Sequence, residues 1–153
     1  MLSAAANLKQ MRLIHSIFVV ALFLYALTAE QIIGKANVAA RNVPSATLLA
    51  GMAFLAGLDG LVAYYFRRSK LEPALDKLRL DQNDSGALRQ WRLATIVSMV
   101  LALSIGLYGF ALRFLGADRR VAWAFFAAAL VLMLLWRPKL ELGAHTPGAP
   151  ADQ

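Results

Sequence analysis

The residue best placed to do chemistry in this 153-residue chain is an acid inside an apolar stretch. Asp59 stands between Gly57 and Gly60, within the apolar residues 48–66. A carboxylate surrounded by hydrocarbon is energetically costly, so it needs either a hydrogen-bonding partner or a functional reason to be there. Asp59 is therefore the first candidate for a functional site.

Three polar residues in other apolar stretches are candidate partners of Asp59. At 1.5 Å per residue, Asp59 lies about 10 Å below the nearer interface, with Ser98 at a matching depth and His15 and Thr95 about one turn nearer to it. We predict an intramembrane polar cluster of these four residues. It admits three interpretations, of which two are hydrogen bonding between helices, for example to Ser98, and a proton or ion site with His15 as relay. A water-filled dip or a loop arginine beside Asp59 is a third.

No catalytic or metal-binding set accompanies this acid. The two histidines, His15 and His145, have no spacing to acids that suits a metal, and no serine is flanked as a nucleophile elbow. The absence of cysteine excludes disulfides and thiolate ligands. We predict a protein that is not an enzyme, with no metal and no cofactor.

Composition indicates a membrane protein. Hydrophobic residues make up 59% of the chain and charged residues only 16%, which is more apolar surface than a soluble domain of this size can bury. The formal charge of +7 is carried beside the apolar runs and forms no basic stripe with interleaved aromatics, so we expect no nucleic acid partner. We predict one domain over residues 1–140 and a disordered tail over residues 141–153.

The apolar runs predict an all-α fold, a polytopic bundle of four transmembrane helices. The spans are expected at residues 12–29, 46–66, 92–112 and 121–136. Between the second and third, Leu71, Leu75 and Leu78 recur at helical spacing and predict an amphipathic helix over residues 69–81, which we expect to lie at the membrane surface. Asp84 or Ser85 is expected to cap the helix that follows.

The basic residues predict the orientation. Eleven of the 16 lysines and arginines fall on the side of the N-terminus and the 67–92 loop, which favours both termini in the cytoplasm of a bacterial inner membrane. Arg67, Arg68 and Arg92 are expected at the lipid headgroups of that side. The pattern also permits a lipid or quinone tail between the helices.

Small residues at helical spacing predict how the helices associate. Lipid tails are as apolar as leucine, so association in a membrane depends on close packing and hydrogen bonds. The candidate positions are Ala53/Gly57 and Ala56/Gly60 in the second span, Ser98, Ala102 and Gly106 in the third, and Ala124/Ala128 in the fourth. They fit packing within the bundle, and they also fit a face for a second copy.

The end of the third span resembles the carboxylate-bearing helix of rotary ATPase proteolipid (c-type) subunits. In that family an aromatic and a small residue follow the carboxylate five residues on, as Tyr108 and Gly109 follow Leu103 here. Leucine occupies the carboxylate position and the glycine-repeat partner helix is missing. The resemblance implies either a distant relative that has lost ion binding or convergent packing. The whole chain also resembles small four-span bacterial membrane proteins of unknown function.

The leading hypothesis from the sequence is a small non-catalytic integral membrane protein. It would be an accessory or structural subunit of a membrane complex or homo-oligomer, with membrane lipid and other membrane subunits, or itself, as partners. The alternative is a proton or cation pathway, or a transporter component, centred on Asp59. The first hypothesis requires a small-residue face that stays exposed in the assembled bundle. The second requires Asp59 to face the bundle interior, with polar access from one side.

Overall fold

The computed structural model describes residues 4–33, 45–81 and 84–138. Within these ranges the chain is helical and has no strand, which confirms the predicted all-α class. Its helices are α1 (Ala4–Thr28), α2 (Ala46–Phe66), α3 (Glu72–Leu80), α4 (Ser85–Phe114) and α5 (Arg119–Leu135). A π-helical turn, Ala29–Ile33, extends α1, and a second, Arg67–Leu71, joins α2 to α3. The tail predicted at residues 141–153 lies outside the described residues.

Polar side chains and one glycine set the ends of α4 and α5. The Asp84 carboxylate accepts hydrogen bonds from the backbone N–H groups of Gly86 (2.8 Å) and Ala87 (3.1 Å), which confirms a cap at this position. Asp118 caps α5 by accepting from the N–H of Arg120 at 3.1 Å. Between the two helices the chain turns at Gly116, whose φ of 91° favours glycine.

Helix α4 is the centre of the bundle and packs against each of the other four helices. Helix α1 contacts both α4 and α5. Helix α2 lies against α4 and, among the described residues, makes no close backbone contact with α1 or α5. The arrangement is therefore a compact group of α1, α4 and α5, with α2 attached to one side of α4.

Small residues of α4 let its neighbours approach closely. Ser98 and Ala102 are fully buried, and a Cβ atom on Gly106 would collide with the side chain of Leu22 on α1. On the side facing α5, a Cβ atom on Gly109 would lie 2.8 Å from the carbonyl oxygen of Ala122. The small positions predicted in the third span thus serve packing within the bundle, and Gly109 is a further one.

The amphipathic segment predicted at residues 69–81 ends in α3, which continues from α2 through the π-helical turn. Its apolar side chains Leu71, Ala74 and Leu78 are buried in one hydrophobic cluster with Met11 of α1 and Trp91 of α4. Protein side chains therefore cover the apolar side of this segment. The location of the segment at a membrane surface stays a prediction. A second cluster, around Leu22, Ala102, Ile105, Phe126 and Ala129, lies further along the bundle.

Three helical stretches are long and apolar enough to cross a membrane: Ala6–Gln31, Ala46–Leu80 and Ser85–Phe114. Helix α5 coincides with the fourth predicted span and has 17 residues. At 1.5 Å per residue it is about 26 Å long, somewhat less than the hydrocarbon core of about 30 Å. The four main helices match the number predicted from the sequence.

Candidate functional site

Asp59 forms a hydrogen bond between α2 and α4. The hydroxyl of Tyr108 donates to Oδ2 of Asp59 at 2.9 Å, and both side chains are partly buried. The glycines on either side of Asp59 leave room around it, since a Cβ atom on Gly57 or Gly60 would meet nothing within 4 Å. Asp59 therefore lies at the edge of the α2–α4 contact and not in the interior between α1, α4 and α5.

The other members of the predicted polar cluster have different partners. The hydroxyl of Ser98 donates to the carbonyl oxygen of Ala94 and that of Thr95 to the carbonyl oxygen of Trp91, both at 2.8 Å and both within α4. Such bonds to the residue four positions back satisfy a buried hydroxyl without a second helix. The expected hydrogen bond between Asp59 and Ser98 is absent among the described contacts, and Tyr108 takes its place.

The position of the hairpin turn explains this difference. The sequence predicts that the second span ends at Phe66 and that a separate surface helix follows over residues 69–81, whereas the helical stretch continues without interruption to Leu80. When the first helix of an antiparallel hairpin is longer, each of its residues faces a residue that lies further from the turn on the second helix. Asp59 stands 22 residues before Asp81, and Tyr108 stands 24 residues after Asp84, so the two face each other. Tyr108 is roughly 15 Å beyond Ser98 along the helix axis.

His15 is buried and caps the C-terminal end of α5. Its Nε2 lies 3.0 Å from the carbonyl oxygen of Met133, a distance that suits an N–H donating to that oxygen. Carbonyl groups in the last turn of a helix lack partners from the helix itself. The end of a helix also carries a partial negative charge, which favours such a donor. His15 thus joins α1 to α5, and its described contacts do not include Asp59.

The three arginines predicted at the lipid headgroups have different environments. The guanidinium carbon of Arg67 lies 5.5 Å from the centre of the Trp136 ring, a cation–π contact across the bundle. Nη1 of Arg92 donates to Oδ1 of Asn7 at a long 3.4 Å. Arg68 is exposed. Arg67 and Arg92 therefore also hold helices together.

An ionic cluster that the sequence did not reveal lies beyond the other end of α4. Glu30 Oε2 is 3.3 Å from Nε of Arg119, and Glu30 Oε1 accepts from the indole N–H of Trp123 at 3.1 Å. Arg113 is buried nearby: its Nε is 4.0 Å from Glu30, and its Nη1 donates to the carbonyl oxygen of Ala117 at 3.1 Å. The sequence carries one indication of this cluster. An acid, Glu30, directly follows the first apolar run, and arginines stand between the third and fourth predicted spans, at the same side of the predicted bundle.

The contacts of Asp59, His15 and Glu30 each join two helices. Among the described residues no group of three histidines, aspartates or glutamates lies close enough to hold a metal ion. Leu103, at the position of the proteolipid carboxylate, packs against the second hydrophobic cluster. Comparison with protein-family models, curated proteins and solved structures gave no match.

Proposed function

We propose that this protein is a small non-catalytic membrane subunit that associates through α2, either with a second copy or with a helix of a larger complex. The observation that carries the proposal is the exposure of α2. Only Ala63 of its 21 residues is buried. Gly51, Gly57 and Gly60 would meet nothing within 4 Å if they carried a Cβ atom. Small residues at a membrane-helix surface allow another helix to come close.

The hydrogen bond of Asp59 supports an anchoring role over a pathway. Tyr108 supplies a donor, so the carboxylate has a partner where α2 meets α4. A relay needs further titratable groups in sequence, and His15 is engaged with Met133 at the end of α5. An acid that fixes α2 to α4 while the rest of α2 stays accessible fits a docking helix. We therefore rank the subunit above the proton or cation pathway.

We further propose four spans in a bacterial inner membrane, with both termini in the cytoplasm. In support, residues from three predicted cytoplasmic segments meet at one end of the bundle. Arg12 of α1 and Arg137 line one pocket there, and Arg67 lies over Trp136. An excess of basic residues at one end is the pattern of a cytoplasmic face.

The experiment combines native mass with cross-linking from single cysteines. Because the chain has no cysteine, Gly57→Cys and Ala53→Cys each introduce one thiol on the exposed side of α2. Oxidation in native membranes should give a cross-linked product with either variant, since two facing helices bring the thiols together. The size of the product identifies the partner, and gentle extraction should give a complex of the same composition.

Two cysteine positions serve as matched controls. Ala63→Cys places the thiol on the buried side of the same helix, and Ala124→Cys places it on an exposed small residue of α5. Neither should cross-link efficiently if α2 is the docking helix. A product from Ala124→Cys alone would move the interface to α5 and overturn the role of α2. A monomeric mass with no product from any variant would overturn the subunit proposal.

A further inference from the structure

Two adjoining pockets open at the end of the bundle where α5 stops. One, of about 310 Å³, is lined by Arg67, Arg79 and Arg137 together with leucines and Trp91. The other, of about 380 Å³, is lined by Arg12, His15, Ser16, Arg137 and Pro138. Arg137 and Pro138 belong to both linings. We call the two together the basic pocket pair.

Three parts of the chain that are distant in sequence supply its arginines: α1, the π-helical turn with the adjoining α3, and the residues after α5. Among the described residues, no aspartate or glutamate lines either pocket. Arg79 pairs with Asp76 at 3.5 Å, and Glu72 acts electrostatically on Arg67. Within the same described ranges, no carboxylate lies within 4 Å of Arg12 or Arg137.

The helix end at this site does not balance the remaining charge. The C-terminus of α5 contributes roughly half a negative charge, and His15 already occupies its Met133 carbonyl. Arg12 and Arg137 carry two full positive charges beside it. Like charges brought together repel, and an anion between them lowers the free energy. The site thus favours an anionic ligand.

The walls of the pocket pair indicate the kind of anion. Guanidinium groups present several N–H donors in a plane and suit phosphate oxygens. The lining of the first pocket also includes an apolar set, Leu75, Leu78 and Leu135. Leu135 is 69% exposed, so the apolar set continues onto the outer surface of the bundle. Arginines and exposed apolar residues in one lining suit an amphiphile with a phosphate headgroup.

We propose that the basic pocket pair binds the phosphate group of an anionic ligand. The apolar set favours an anionic phospholipid as its source over a water-soluble phosphate compound. Basic pockets between helices on the cytoplasmic side of membrane proteins bind phosphate headgroups in this way. Arg12, Arg67 and Arg137 would contact the phosphate, whereas Arg68, which lines neither pocket, would not. The proposal is independent of the role of α2.

The test measures lipid binding to the purified full-length chain in detergent by native mass spectrometry. Phosphatidylglycerol and phosphatidylcholine with the same acyl chains are titrated separately, and inorganic phosphate and glycerol 3-phosphate are added as competitors. We expect phosphatidylglycerol to bind more tightly than phosphatidylcholine. Arg137→Gln should weaken it on the order of tenfold, because charge-assisted hydrogen bonds to phosphate are lost.

Arg68→Gln and Arg89→Gln are the matched controls, since each removes one exposed positive charge outside the pocket linings. They should change binding by less than about twofold, as expected of a screened surface charge. Arg67→Gln should resemble Arg137→Gln. If the Arg67→Gln variant unfolds because it loses the contact with Trp136, the result for Arg137→Gln alone tests the phosphate site.

The competitors distinguish the source of the phosphate. Lipid binding that resists millimolar inorganic phosphate supports a phospholipid headgroup. Arginine-dependent binding of glycerol 3-phosphate or inorganic phosphate, displacing the lipid, supports the same site with a soluble ligand. Equal losses in the Arg137 and Arg68 variants would overturn the proposal, since binding would then follow net charge alone. Absence of any preference for phosphatidylglycerol, with no phosphate binding, would overturn it as well.

Discussion

Helices α2 and α4 both carry small residues at helical spacing, yet the two sets have opposite surroundings. On α4, Gly106 and Gly109 leave space that Leu22 and Ala122 fill. On α2, Gly51, Gly57 and Gly60 face open space. A membrane helix meets lipid tails as apolar as leucine, so hydropathy does not separate a face in contact with protein from one in contact with lipid. The same sequence pattern therefore leads to two structural outcomes.

The largest expected difference between the two helices is in the stability of the fold. Gly109→Ala places a Cβ atom 2.8 Å from the backbone of Ala122, which cannot move aside as a side chain can. We expect it to lower the free energy of unfolding by about 3 kcal/mol, the upper part of the range for overpacking. Denaturant titration in detergent, followed by circular dichroism, measures this. Gly51→Ala is the control and should not destabilise; an equal loss in both would contradict the packing described for α4.

The next effect concerns association without loss of fold. Gly57→Ile adds a branched side chain to the exposed surface of α2, where a Cβ atom meets nothing within 4 Å. We expect the free energy of unfolding of the monomer to stay unchanged. Self-association or complex formation should be weakened by about 1–2 kcal/mol, because the new side chain blocks the close approach of the second helix. Sedimentation in detergent measures the association. Leu61→Ile, also on the exposed surface, is the control. Association unaffected by Gly57→Ile would remove α2 from the interface.

A smaller effect concerns the contact that joins the two helices. A double-mutant cycle with Asp59→Asn and Tyr108→Phe should give a coupling of about 0.6 kcal/mol, the average for hydrogen bonds between membrane helices. The pair at 2.9 Å is the physical basis. Unfolding free energies of the four proteins provide the coupling. A value near zero would show that α2 is held by packing alone.

The smallest expected effect is the coupling between Asp59 and Ser98. The Ser98 hydroxyl bonds to the carbonyl oxygen of Ala94 within α4, and the partner of Asp59 is Tyr108. The changes in unfolding free energy caused by Asp59→Asn and Ser98→Ala should therefore sum to that of the double variant within about 0.3–0.5 kcal/mol, as they do for independent sites. A clear coupling, measured by the same unfolding titrations, would restore the polar cluster predicted from the sequence and with it the case for a pathway.

The helical class and the core role of Ser98, Ala102 and Gly106 could be predicted, because long apolar runs and spaced small residues are properties of the chain itself. The partner of Asp59 could not. It depends on where the hairpin turns, and the sequence predicts a separate surface helix over residues 69–81 where the structure continues α2 to Leu80. An error in the turn position changes every facing pair along the hairpin.

The ends of the bundle were equally hard to predict, for a different reason. Arg67, Arg68 and Arg92 look alike in the sequence, and each fits a headgroup contact. Their environments differ because Trp136 and Asn7 approach two of them from distant parts of the chain. Glu30 likewise gains its partners only when the ends of α1, α4 and α5 meet. Composition yields a prediction of sidedness, whereas the pairing of side chains depends on the fold.

The length of the stretch from Ala46 to Leu80 has a consequence for solvation. Its 35 residues extend about 52 Å at 1.5 Å each, well beyond a hydrocarbon core of about 30 Å even when tilted. One end of a hairpin that spans a bilayer must then stand in water. In such a hairpin the cluster of Met11, Leu71, Leu78 and Trp91 would lie at the end in water, where exclusion of water holds apolar groups together. The contacts of one continuous helix would thus be stabilised in two ways. Close packing against neighbouring helices would dominate in lipid, and the hydrophobic effect would dominate in water.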